Sequence, residues 1–138
     1  MSELAGPLIA ARLVTLAGGV EELARAPTGT VQLLGAERAL FRHLRTGSRP
    51  PKHGVLFQHP LVHRAPRWQR GALARMLAGR ISMAARADAY TKRHIAPDLL
   101  RDLDASVEEI RRRKAEPPVR PARNPPRKKH GSRKGRRR

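Results

Sequence analysis

Apolar positions recur at helical spacing through most of the chain. Leu8, Ile9, Leu13 and Leu16 share one face between Leu4 and Ala17, with Pro7 tolerable in a first turn and Gly18-Gly19 as a stop, so one helix is predicted there. Val20 to Ala26 reads as a second, short helix with Glu21 and Glu22 at its favourable start and Pro27 closing it. Val31 to Leu34 is a short apolar stretch, and beyond Gly35 a helix is predicted from Ala36 to about Leu44. On that helix Arg38, Arg42 and Arg45 share one face, while Ala36, Leu40 and Leu44 or Phe41 line the other.

From Thr46 to Pro66 the chain carries Gly47, Pro50, Pro51, Gly54, Pro60 and Pro66, and mostly irregular structure is expected, with Val55-Leu56-Phe57 plugging the core. Arg67 to Tyr90 reads as one long helix. Its first stripe is Leu73, Leu77, Ile81 and Ala84, its second Met76, Met83, Ala87 and Tyr90, and its many alanines suit close packing of another helix. Pro97 opens a last amphipathic helix, acidic early at Asp98, Asp102 and Asp104 and basic late from Arg111 to Lys114. No segment alternates with the period of a strand, so the fold class is all-α, with one loop-rich insert.

Charge changes the picture more than composition does. The 138 residues carry 30 Lys+Arg against 11 Asp+Glu, a net charge of +19, with aromatics at 3% and no cysteine. Absent thiols remove disulfide frameworks, thiolate zinc sites and thiol nucleophiles. No apolar run approaches the roughly 20 residues of a bilayer span, and no basic-then-apolar leader opens the chain, so a cytoplasmic setting is expected. The positive excess is concentrated: residues 36–70 hold eight Arg/Lys against Glu37, and residues 111–138 hold fourteen against Glu116. Residues 71–110 balance six against six. Two basic zones separated by a neutral one point to two contact regions for a polyanion, most commonly nucleic acid.

Two domains of behaviour follow: a folded part over 1–115, and a tail over 116–138. Glu116 to Pro126 contains five prolines and is expected to run extended, and Arg127 to Arg138 is almost purely Lys, Arg, Gly and Ser. Arg127, Lys128, Lys129, Arg133 and Lys134 are candidate phosphate contacts there, with nothing apolar to bury.

Catalytic patterns are not evident. Four of six histidines fall at 43, 53, 59 and 63, but only Glu37 is a nearby carboxylate and no His-Glu-x-x-His occurs, so no metal or other cofactor is expected. Histidines among Arg and Pro in a loop better suit stacking on bases or bonding to phosphates, which makes His59 a candidate contact. No phosphate-cradling Gly-rich loop and no nucleophile elbow is present, and an enzyme is not expected. Trp68, Phe41, Phe57 and Tyr90 are too few for a single-strand stacking platform and are mostly assigned to the core.

The run Leu34-Gly35-Ala36-Glu37-Arg38-Ala39-Leu40-Phe41-Arg42-His43-Leu44, then Thr46-Gly47, Pro50-Pro51-Lys52-His53-Gly54 and Phe57-Gln58-His59-Pro60, closely resembles the Nop domain. That domain occurs in the archaeal scaffold of box C/D small ribonucleoproteins, its nucleolar relatives and a spliceosomal relative. Gly6-Pro7-Leu8-Ile9-Ala10-Ala11-Arg12-Leu13 and Ala84-Ala85-Arg86-Ala87-Asp88 extend the resemblance over nearly the whole chain. It implies a helical module that recognises a kink-turn RNA together with the ribosomal-protein-like factor bound to the kink. The contacts it implies are Arg25 before Pro27, the small residue after it (Thr28, where Ala is more usual), His53 and Arg86. To these the basic zone adds Arg38, Arg42, Arg45, Arg49 and Lys52 as phosphate contacts. The family's scaffolds carry a fibrillarin-docking domain and a dimerising coiled coil, and neither pattern precedes Leu4, so no fibrillarin recruitment is expected. The alternative reading is a structural protein of the ribosome or its precursor that contacts rRNA through domain and tail.

Overall fold

The computed structural model describes residues 1–119. Among them the chain forms eight α-helices and no strand: α1 (Ser2–Ala5), α2 (Pro7–Ala17), α3 (Val20–Arg25), α4 (Thr28–Leu33), α5 (Glu37–Thr46), α6 (Pro60–His63), α7 (Arg70–Arg86) and α8 (Ala96–Arg113). A 3-10 turn covers Val55–Gln58, and α7 widens into a π-helical turn over Ala87–Thr91.

The all-helical class is as the periodicity predicts, and the largest element lies at its centre. Leu73, Ala74, Leu77, Ala78, Ile81, Ser82, Ala84 and Ala85 of α7 are all buried, because α1, α3, α4, α6 and α8 all pack on it. Alanine between the larger aliphatics lets several backbones approach one helix, and each fully buried Leu or Ile contributes roughly 1.5–3 kcal/mol. The predicted stripe Leu73–Leu77–Ile81–Ala84 is therefore the core. The adjacent stripe is not: Ala87 is buried, but Met83 and Tyr90 are exposed. The α8 face of Leu99, Leu103, Val107 and Ile110 covers α7 from one side.

Three further expectations are corrected. The first helix is two, because Gly6 sits at φ 80°, outside the helical range, and Pro7 starts α2 afresh. Leu4, Ala5, Ile9, Ala10 and Leu13 then face inward, leaving Leu8 and Leu16 exposed. The long helix begins at Arg70 rather than Arg67, since the indole N–H of Trp68 and the amide of Gln69 are turned aside to donate to the carbonyl of Lys114, at 2.9 and 2.8 Å. Those bonds occupy an orphan carbonyl at the end of α8. Finally, the aromatics are not core: Phe41 and Tyr90 are 61% and 55% exposed, and Trp68 and Phe57 only partly buried. Of the insert, Leu56 is fully buried as expected, with Val55 and Phe57 packed beside it.

Candidate nucleic-acid interface

The segment between Gly35 and Gly54 leaves the body and returns to the same place. On return it runs along the end of α4: the buried Gln32 amide donates to the Lys52 carbonyl at 2.7 Å, Gly54 N–H donates to the Gln32 carbonyl at 2.9 Å, and Val55 N–H to the Leu34 carbonyl at 2.7 Å. Two glycines permit this approach. A Cβ on Gly54 would lie 1.9 Å from the Leu34 oxygen, and one on Gly35, at φ 90°, would lie 2.6 Å from a Val55 methyl. The glycines of the Leu-Gly-Ala-Glu and Pro-Lys-His-Gly runs are thus the two sides of one backbone crossing.

Between those clamps stands α5, in which no residue is buried. Its ends are closed locally. The Glu37 carboxylate accepts from Gly35 N–H at 2.8 Å, Thr46 Oγ1 donates to the Arg42 carbonyl at 2.7 Å, and His43 Nδ1 meets the Ser48 carbonyl. Arg38, Arg42 and Arg45 are exposed along the helix, and Arg49 and Lys52 continue the series through the loop. Among the described residues none of these five pairs with a carboxylate, whereas Arg101, Arg111 and Arg113 each find an acid three or four residues away. The only acid of α5, Glu37, is spent on its own N-terminus. The apolar side, Phe41 and Leu44 (69% exposed), faces solvent as well.

His53 lies at the foot of this arm with its ring stacked on Phe57, centroids 4.6 Å apart and planes 16° from parallel. The Arg70 guanidinium stands 5.3 Å from the Phe57 ring centre, fixed by bonds to the Ala65 and His63 carbonyls at 2.9 and 3.1 Å. Burial, and then the charges of Arg70 and Lys52, lower the His53 pKa against its own backbone hydrogen bond, so the imidazole is neutral at pH 7. It offers a ring face and one hydrogen bond rather than a charge. Phe57, which holds it, had no periodic signal in the sequence.

Arg25, Thr28 and Arg86 form a second group at the other end of α7. Arg86 Nε donates to the Ala24 carbonyl at 3.1 Å, near the end of α3, and the Thr28 methyl lies 3.9 Å from where a Gly79 Cβ would sit. Arg25 is ion-paired to Glu22 at 3.2 Å and Glu21 at 3.5 Å, and the Tyr90 hydroxyl followed by those acids raises its pKa further. Thr28, where the resemblance implies alanine, is half-buried with its methyl on the side of Gly79 in α7.

His59 does not present a free ring. Its Nδ1 accepts from Leu61 N–H at 3.2 Å as the cap of α6, and its Nε2 donates to the Leu4 carbonyl at 3.1 Å. Both nitrogens hold α1 and α6 together, and neither is left for a base or phosphate. Burial lowers its pKa, against the bond to Leu4. Arg127, Lys128, Lys129, Arg133 and Lys134 lie outside the described residues. No group of three or more His, Cys, Asp or Glu among the described residues could hold a metal ion, and no described helix is long and apolar enough to cross a membrane.

A helical body that projects an unpaired basic helix has the form of a nucleic-acid-binding module. Residues 1–110 match the family described as "Nop: snoRNA binding domain, fibrillarin", and the chain belongs to the Nop domain family, a non-catalytic RNA-binding scaffold domain. It is 53% identical over 117 residues to an uncharacterized NOP5 family protein of Methanocaldococcus jannaschii, covering 85% of this chain and 28% of that one. It is 44% identical over 92 residues to nucleolar protein 58 of Neurospora crassa, covering 67% of this chain and 15% of that protein. The same identity and coverage hold for nucleolar protein 56 of Caenorhabditis elegans, of which 19% is matched. Among solved structures, the fibrillarin/Nop5p complex contains a chain 32% identical to this one at a TM-score of 0.62, covering 80% of this chain and 40% of that chain. The chain thus spans less than a third of the curated relatives it matches.

Proposed function

We propose that this protein binds a kink-turn RNA jointly with the ribosomal-protein-like factor seated on the kink, and that the arm from Gly35 to Gly54 is the binding element. The observation that carries this reading is α5: a helix with no buried residue and no ion-paired cation, held at both feet by backbone hydrogen bonds. Exposed guanidiniums without intramolecular partners are available for phosphate, and the planar fork of Arg suits it. The exposed Phe41–Leu44 side of the same helix supplies the apolar area that a protein partner would cover while the basic side meets RNA.

Arg38, Arg42, Arg45, Arg49 and Lys52 take the phosphates, and His53 meets RNA through its neutral ring. Arg25, Thr28 and Arg86 are assigned to the protein partner's side, because Arg25 is already neutralised by two glutamates. The tail over 116–138 adds sequence-independent affinity by counterion release.

A gel-shift titration with kink-turn RNA tests the reading, with and without the kink-binding protein, on intact and mutated kinks. Binding that needs both the intact kink and the partner, and that survives physiological salt, is the expected result. Equal binding to all RNAs with steep release by salt would overturn it in favour of general rRNA anchoring.

A further inference from the structure

A groove of about 680 Å³ opens between the 50–52 loop, the first turns of α7 and the end of α8. Its walls include Trp68 and Met76, and its rim carries Lys52, Arg75, Arg113 and Lys114 with no carboxylate among the lining residues. We infer that this groove receives one nucleotide of a single-stranded RNA segment, its base against Trp68 and its phosphates on Arg75, Lys114 and Lys52.

Four features support the assignment. The volume lies within the roughly 300–1,000 Å³ of sites that enclose small ligands. The indole is pre-oriented by its N–H bond to the Lys114 carbonyl, so no side-chain freedom is lost on binding. Gly71 makes room for the Lys52 stem, which lies 3.5 Å from where a Cβ would be and so rests against the first turn of α7 at the groove. Of the four cations, only Arg113 has an acidic partner among the described residues, Glu109 at 3.9 Å. An aromatic wall and a basic rim together match a base with its phosphate. The chain's own proline-rich segment is disfavoured as occupant, because the residues after Glu116 bring further cations to an already basic rim.

The groove rests in part on the preceding reading, since Lys52 belongs to both surfaces, and a strand leaving α5 along the loop would reach it. Only one of the four scattered aromatics, Trp68, lines it, which is why aromatic spacing did not signal it.

Trp68 is the only tryptophan of the chain, so its fluorescence reports the groove directly. The full-length protein is titrated with an eight-nucleotide oligouridylate, with tripolyphosphate and with polyglutamate, following both indole emission and ligand anisotropy. Saturable quenching by oligouridylate alone is expected, weakened about tenfold by Arg75→Glu. Arg75 is exposed, and a thermal melt establishes that the variant folds. Oligouridylate binding without an emission change places the RNA away from the groove, on the tail or the α5 arm, and overturns the inference. Equal quenching by tripolyphosphate or polyglutamate also overturns it, by showing an anion site indifferent to bases. Failure of the two readings is distinguishable: Arg42→Ala should weaken assembly on a kink-turn without single-stranded extensions severalfold while quenching persists, and Arg75→Glu should weaken quenching while that assembly is unchanged.

Discussion

Helices α5 and α7 are opposite solutions to the same problem of keeping a helix in place. In α7 the side chains do the work, with eight buried residues against neighbours on several sides. In α5 no side chain is buried, and position comes from the two ends, through the Gly35 crossing and the backbone bonds of residues 52–55. A helix fixed by its sides keeps only the strip that its neighbours leave uncovered, such as Arg75 and Arg86 of α7, for a ligand. One fixed by its ends keeps both its basic and its apolar surface free, at the expense of local stability. The division separates the residues that carry the fold from those that carry binding.

If the division holds, substitutions in the two helices affect different measurements. Leu77→Ala, at a fully buried position, is expected to cost about 2–5 kcal/mol and to lower the midpoint of a urea or thermal melt accordingly. The triple change of Arg38, Arg42 and Arg45 to Ala should leave that melt unchanged. It should weaken kink-turn RNA binding by roughly a hundredfold and flatten the salt dependence by roughly 2–3 in log–log slope. A triple variant that melts early would show that α5 contributes to the core after all.

Gly54→Ala sharpens the comparison, because it strikes where the arm joins the body. Its Cβ would meet the Leu34 carbonyl at 1.9 Å, so a loss of about 1–3 kcal/mol is expected together with weaker RNA binding, the one single change that moves both measurements. Acidification probes the body and the foot of the arm together, because burial lowers the pKa of both His59 and His53. The His59 pKa is lowered by burial, so between that value and the unfolded value near 6.5 the unfolded chain holds the extra proton, and stability falls as pH drops through this window. Melting temperature should therefore decline below about pH 6.5. His59→Gln, uncharged at every pH, should decline less, whatever its stability at pH 7. The smallest effect belongs to Leu44→Ser: within about 0.5 kcal/mol in the melt, since the residue already faces water, yet measurable as weaker recruitment of the kink-binding protein.

Much of the body was legible because local rules decide it. The α7 stripe, the start of α8 at its early proline and the break after Ala17 follow from helical period, proline and glycine, which act over a few residues. The basic face of α5 was legible for the same reason. What misled was the assumption that apolar means buried: Phe41, Met83 and Tyr90 carry the right spacing but have no neighbour to cover them. The roles of His59, Phe57 and Trp68 depend on partners 55, 4 and 46 residues away, two of them backbone carbonyls that no side-chain pattern encodes.

The sequence by itself determined the helical class, the family, the two basic zones and the glycines that let backbones cross. Each is a matter of residue chemistry or short-range spacing. Only the tertiary structure decided which amphipathic faces are covered, which histidine keeps a free ring and which cations are already paired. Those outcomes depend on which distant segment arrives beside a residue, and burial, hydrogen bonding and ion pairing take their sign from that neighbour.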